Sequence, residues 1–442
     1  MLSALFAVLI TAPPAPWLLV VPTPARTVPE LAPFLDWVAL PLPELSSDRA
    51  RRRGQAVFGI DPLSLGTFQA LGADPKRPLL LWFDPDRDFT ITEIALSDPA
   101  KARALVAAIA KKVPRARAME GGFLAGETLN AMIGALVRED RLWLVLGGTY
   151  TPPLDPKPLP SDLKTELGKD AVGAPLLAAT KEKRPSLPKS LSSTRAPDLY
   201  GTLLMEGAVE RMDFAIELGA RAFKLRSELE FGPKSGLALN EGLVAKRRPN
   251  TALVQGATTA IDLRLALSGT GLGSVLDHAG LPSAAAKSMT GAVEVLLTPE
   301  GALVALAELG PRPDRAALSG LEQALTAHFP GAATRRVEKN KRSIFAAWVG
   351  AFDPKLLDQL GDRASAAAPV ELIAAPTRLF SALKARSGTP DRLGPRSMDL
   401  MMLRFVLRPW FDGTTALRGR LSLPAGRPRV EAEVSIKAPG AP

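Results

Sequence analysis

The chain has 442 residues, 46% hydrophobic and 23% charged, enough for two ordinary domains or one large one with a sizeable core, which excludes wholesale disorder. It contains no cysteine, and this excludes disulfides, thiolate metal sites, a cysteine nucleophile and a lipid-modified N-terminal cysteine. A net charge of +10 and a pI near 9.9 suit a polyanionic partner: nucleic acid, anionic lipid headgroups or acidic envelope polymers.

The chain begins MLSALFAVLITAPPAPWLLVV. The apolar run from Leu2 to Ala12 is about half the roughly 20 residues that a membrane-spanning helix needs, and Pro13 and Pro14 stop it. It matches the apolar core of a secretory signal, with Ala12, Ala15 and Ala25 as cleavage positions, although no Lys or Arg precedes it. The reading is a signal-like segment over residues 1–15 and a soluble product, periplasmic or extracellular, with no transmembrane anchor. A short buried N-terminal helix is the alternative. Trp17 to Val21 then forms the first strand of the mature fold.

Short helices are expected over Val28–Ala39 and Asp48–Val57. Strands follow at Leu79–Phe83 and Phe89–Leu96, around an Asp- and Pro-rich turn. In SDPAKARALVAAIAKKV, Asp98 caps a helix, Pro99 occupies its first turn, and Leu105, Val106, Ile109 and Val113 share one side. Residues 151–197 are rich in Pro, Lys and Ser and read as a junction, with a helix near Ser161 to Leu167. Beyond it, Met212, Phe214, Ile216 and Leu218, then Phe223, Leu225, Leu229 and Phe231, alternate around a Gly-containing turn as an antiparallel hairpin. Lys224, Arg226, Glu228 and Glu230 would face water. A polar loop spans residues 232–250. Ile261 to Leu267, Leu417 to Leu423 and Val430 to Ile436 repeat the alternation, which is the habit of antiparallel sheets with one wet face. A second helix runs from Asp314 to His328 and aligns Leu318, Leu321 and Leu325.

The pieces recur in order. Val293 follows Leu79 by 214 residues, Ala302 follows Phe89 by 213 and Pro330 follows Pro114 by 216, while Gly280 follows Gly72 by 208. A period near half the chain suggests two copies of one unit. The expected fold is α+β, with two pseudo-repeated halves at 16–150 and 198–442, each a twisted antiparallel sheet with helices packed on one face. A proline-bracketed strand after a signal, then FGIDP and ALGADPKRP, then hairpin and helix, resembles uncharacterised exported envelope proteins of GC-rich bacteria over Trp17 to Val145. The resemblance implies an exported α+β protein without a known reaction, and carries over no site residue.

Residues capable of chemistry are scarce. Only His278 and His328 could serve as an imidazole base; G-x-S-x-G and H-E-x-x-H are absent, and capping or surface roles are expected for both. Ser161-Asp-Leu-Lys164 and Ser381-Ala-Leu-Lys384 fit S-x-x-K and Lys234-Ser-Gly236 fits K-[ST]-G, but the S-x-N or Y-x-N element of penicillin-recognising enzymes is missing. Ser161, Lys164 and His278 are therefore kept only as the candidates of a remote serine hydrolase. Asp84, Asp86 and Asp88 resemble the start of a calcium loop, yet Phe89 and Ala95 stand where Gly and a bidentate Glu belong, so the duty expected of them is a turn. Gly269-Thr-Gly271-Leu-Gly273 has the third glycine one residue early for a dinucleotide loop and reads as a backbone turn; no cofactor is expected.

The basic clusters at Arg49 with Arg51 to Arg53, Lys181 to Arg184, Lys246 to Arg248, and Arg335-Arg336 through Lys341-Arg342 are scattered and carry no aromatic platform, which argues against nucleic acid. An anionic envelope polymer or lipid remains as partner. The expected function is a non-enzymatic envelope protein acting as a binding or scaffold module. The alternative is a carrier of an apolar or lipid ligand in a cavity between curved sheet and helices, lined by Phe214, Ile216, Phe223 and Leu225.

Overall fold

A computed structural model describes residues 17–40, 46–58, 61–84, 89–113, 116–119, 121–128, 131–147, 191, 196–204, 209–219, 221–232, 242–243, 251–252, 259–339, 341–362, 368–386, 408–423 and 428–436. The chain divides into two compact units, residues 1–220 and 221–442. Among the described residues no helix is long and apolar enough to cross a membrane.

The first unit runs β1 Trp17–Val21, α1 Pro24–Val38, α2 Ser47–Phe58, α3 Leu65–Ala70, β2 Leu79–Asp84, β3 Phe89–Ala95, α4 Pro99–Ala110, β4 Arg117–Met119, β5 Gly122–Thr128, β6 Ala131–Arg138, β7 Arg141–Gly147, β8 Leu199–Leu204 and β9 Val209–Glu217. Its strands pair antiparallel in the spatial order β9-β8-β1-β2-β3-β7-β6-β5-β4. Helix α4 starts where expected, because Asp98 accepts a hydrogen bond from the Lys101 amide and Pro99 needs no donor in the first turn. Its Ala102, Val106 and Ile109 sit on Ile94, Phe123 and Ala135 of the sheet, with Val28 of α1 and Phe68 of α3 in the same core. Asp198, fully buried, ties β8 and β9 to α1: its carboxylate meets Arg26 Nε at 2.6 Å and accepts from the Leu218 amide at 2.8 Å.

The second unit runs β10 Ala222–Phe231, β11 Thr251–Ala252, β12 Ile261–Ala266, α5 Gly269–His278, a 3-10 turn Ser283–Ser288, β13 Met289–Leu297, β14 Leu303–Leu309, α6 Arg315–His328, β15 Ala333–Lys339, β16 Arg342–Val349, a 3-10 turn Pro354–Gln359, β17 Gly361–Asp362, β18 Val370–Ala374, α7 Pro376–Arg386, α8 Arg408–Gly413, β19 Thr414–Ser422 and β20 Arg429–Ile436. The sheet order is β10-β20-β19-β18-β12-β13-β14-β16-β15, again antiparallel throughout, and β11 pairs separately with β17. Asp314 caps α6 through the amides of Ala316 and Ala317, and Leu318 and Leu321 pack on Leu309 and Phe345. The opposite face, with Leu296, Val304, Leu306 and Ala346, is covered by Leu357 and Leu360 around the second 3-10 turn.

Four expectations change. The faces turned away from the helices are dry at the sheet centres: Ile91, Glu93, Ala95, Trp143 and Val145 in the first unit, and Asp262, Arg264 and Glu294 in the second, are all buried. Alternation told which residues share a face and left open whether the polar face is covered. The glycines at 269, 271 and 273 form the first turns of α5 instead of a loop ahead of it, capped by Ser268. A Cβ on Gly271 would stand 2.3 Å from the Gly242 carbonyl oxygen, so close backbone approach requires that glycine. Ala25 lies inside α1 and its amide donates to Pro75 O. Cleavage after it would delete β1, the strand that bridges β2 and β8. The unit boundary falls after residue 220, so β8 and β9, read with the second half, pair into the first unit's sheet.

Two glycines separate backbone necessity from convenience. Gly291 has φ +86° and a Cβ there would meet the Leu267 carbonyl oxygen at 1.9 Å, whereas nothing lies within 4 Å of a Cβ on Gly320 inside α6. Urea unfolding should find Gly291→Ala destabilised by about 1–3 kcal/mol and Gly320→Ala stabilised by about 1 kcal/mol.

Candidate functional site

Two features stand outside the ordinary packing: a buried charged row in the second unit and an open groove in the first. The row follows from register. Glu294 of β13 stands opposite Arg264 of β12, Arg264 opposite Glu371 of β18, Glu371 opposite Arg420 of β19, Arg420 opposite Glu431 of β20, and Glu431 opposite Arg226 of β10. Directly opposed residues share a face, so six strands contribute one line of alternating sign. Its inner end is sealed: Glu294 is 1% exposed and Arg264 3%, while the side chain of Arg420 is 45% exposed.

Arg264 is surrounded by acids. Its Nη2 lies 3.2 Å from Asp262, its Nε 3.5 Å from Glu294, and its Nη1 3.7 Å from Glu371, which also meets Arg420 at 3.3 Å. Glu371 shares Arg420, which leaves one guanidinium to balance the two buried carboxylates of Asp262 and Glu294. Burial, and then the negative charge of Asp262, push the Glu294 carboxyl up to about 9, against the opposing pull of Arg264. At neutral pH Glu294 is therefore a neutral acid, a form in keeping with two carboxyl oxygens that accept no hydrogen bond. A group so sealed reaches no substrate. Its chemistry is internal: it keeps one negative charge out of a dry sheet. The signal in the sequence was charge inside apolar segments, two residues in IDLRLA and one each in AVEVLL and PVELIA; alternation put the charges of IDLRLA on a wet face.

The groove lies between α4 and the β4–β5 hairpin and encloses about 520 Å3. Val106 forms a buried part of its wall, and Ala107 and Ala110 of α4 face Ala116 and Ala118 across it. The hairpin end is closed by Gly121 and Gly122, where a Cβ would strike the carbonyl oxygens of Val137 at 2.4 Å and Ala135 at 1.9 Å. Among the described residues the wall has no acid, hydroxyl or amide side chain; its charged groups there are Arg103 and Lys111, both exposed and neither within ion-pair reach of a described acid.

The other candidates are dispersed. The His278 ring is tied to its own helix, Nδ1 to Ser274 O at 2.9 Å, and the His328 ring lies against Gly280. Ser161, Lys164 and Lys234 to Gly236 lie outside the described residues, and Ser381 and Lys384 are both exposed on α7. Asp84 ends β2, whereas Asp86 and Asp88 lie outside the described residues; no group of three metal-ligating side chains occurs among those described. Phe214 and Ile216 on β9, and Phe223 and Leu225 on β10, are buried, and none borders the groove. The described basic clusters are locally neutralised: Arg51 by Asp61, Arg52 by Asp48, Arg335 by Asp358, Arg336 by Glu322 and Arg342 by Glu308. Those at 181–184 and 246–248 lie outside the described residues. No protein-family model matches the chain, and no curated protein sequence matches it either.

A raised carboxyl pKa makes the folded state hold a proton that the unfolded chain has already released, so stability falls as pH rises between about 4.5 and 9. Glu294→Gln removes that slope. Its melting temperature should equal the parent's near pH 4.5 and exceed it by a margin that widens up to pH 9; a margin independent of pH would mean that Glu294 folds ionised. Arg264→Ala, which removes the guanidinium beside the buried Asp262 and Glu294, should cost about 3–5 kcal/mol in urea unfolding.

Proposed function

We propose that the protein is an exported, non-enzymatic binding protein, built from two copies of one sheet-and-helix unit, that carries an apolar ligand in the groove between α4 and the β4–β5 hairpin. The groove carries this reading: a volume of about 520 Å3, within the span of small-ligand sites, bounded by apolar side chains and open to solvent. The most perturbed acid, Glu294, is sealed away, and both histidines rest against their own surroundings, which favours binding over turnover.

The two-copy reading is supported by matching strand orders. In the first unit β1-β2-β3, then α4, then β7-β6 follow the same spatial sequence as β12-β13-β14, then α6, then β16-β15 in the second. The hairpin turn between β6 and β7 and that between β15 and β16 each hold a non-glycine residue at positive φ, Glu139 and Lys341. On this reading β4–β5 is an insertion peculiar to the first unit, since α6 leads directly into β15, and the insertion creates the groove. Export is supported by the apolar run that ends before β1; Ala12 and Ala15 are the cleavage positions that leave β1 intact.

The experiment is titration with the neutral apolar fluorophore N-phenyl-1-naphthylamine. One molecule should bind per chain, and Ala107→Trp, at an exposed position on the groove wall, should abolish binding without lowering the melting temperature. Absence of saturable binding, or binding indifferent to that substitution, overturns the carrier reading.

A further inference from the structure

We infer, on the basis of the carrier reading, that the ligand is a free single-chain amphiphile with an anionic head, the head held by Arg103 and the tail laid along Val106, Ala107 and Ala110. Arg103, Ala107 and Lys111 recur every four residues and so stand on one side of α4, spanning about 12 Å of helix. Among the described residues the trough's walls are apolar and their polar groups are both cations, which suits a tail joined to a carboxylate, sulfate or phosphate. Those residues present no hydroxyl, amide or carboxylate side chain to pair with a neutral polar head.

The two cations differ in kind. A guanidinium grips an oxyanion with two parallel donors, and Arg103 lies in the first half of the helix, away from its carbonyl end. Lys111 is the C-cap residue, at the helix end whose free carbonyl groups favour a cation and oppose an anion. Its four-carbon stem covers the far end of the trough while the ammonium stays in water. Among the described residues, Arg51, Arg335, Arg336 and Arg342 of the basic clusters meet acids within 4 Å, whereas Arg103 meets none.

Calorimetric titration of the full chain with sodium laurate, dodecanol and dodecyltrimethylammonium, each below its aggregation threshold, tests this. Laurate should bind one per chain and at least tenfold tighter than dodecanol, with no binding of the cation. Arg103→Ala should lower laurate to the affinity of dodecanol, and Lys111→Ala should cost less than threefold; both positions are exposed, so melting temperature serves as the folding control. Equal affinity for laurate and dodecanol overturns the head-group inference and leaves the carrier reading intact. Silence of all three ligands together with silence of the neutral fluorophore removes both. Binding to phosphatidylglycerol vesicles that survives Ala107→Trp, with no laurate binding, overturns the inference in favour of a membrane surface.

Discussion

The line of alternating charge across the second unit constrains more of that unit than any other interaction. A one-residue slip of any strand would move its whole apolar set to the other face, which burial forbids. A two-residue slip preserves faces, and there the charges decide. Sliding β12 against β13 so that Asp262 opposes Glu294 sets two buried acids together and leaves Arg264 opposite Ala292; sliding it the other way places Arg264 opposite Leu296. At the outer end the same slip costs little, because Arg418 can replace Arg420 opposite Glu371 and solvent screens both. Register is therefore fixed from the buried end outward, and the proton on Glu294 is what makes that end tolerable in a dry sheet.

Both sheets bury the centre of the face turned away from their helices, and this explains what was legible in the sequence. Capping chemistry is local, so α4 behind Asp98 and Pro99 and α6 behind Asp314 could be placed closely. Strand periodicity is local as well, and Trp17–Val21, β9, β10, β12, β19 and β20 occur where alternation put them. Solvation of a strand's second face depends on what the rest of the chain lays over it. Hence Asp262 and Arg264 looked like a wet edge of IDLRLA and instead lie on its buried face. The glycines of α5 were misjudged for a related reason: Gly271 is required by the passing backbone of Gly242, some thirty residues upstream.

The groove was legible only as composition. Its alanines and glycines are unremarkable in sequence, and each kind has a separate physical cause. Ala107 and Ala110 suit a helix whatever they face, since alanine is the best helix former. Gly121 and Gly122 are dictated by the carbonyl oxygens of Val137 and Ala135. Neither pair by itself implies that space is being kept open.

Ala116 and Ala118 discriminate. They belong to the short strand β4 and the turn before it, where alanine is disfavoured and a β-branched or aromatic residue would both suit the backbone and fill the trough against Val106. Filling it would bury apolar surface worth about 25 cal/mol per Å2. The chain forgoes that stabilisation at Ala116 and Ala118, across from the two helix positions that leave the same space. Packing alone would favour larger residues here, and the proposed carrier reading accounts for their absence.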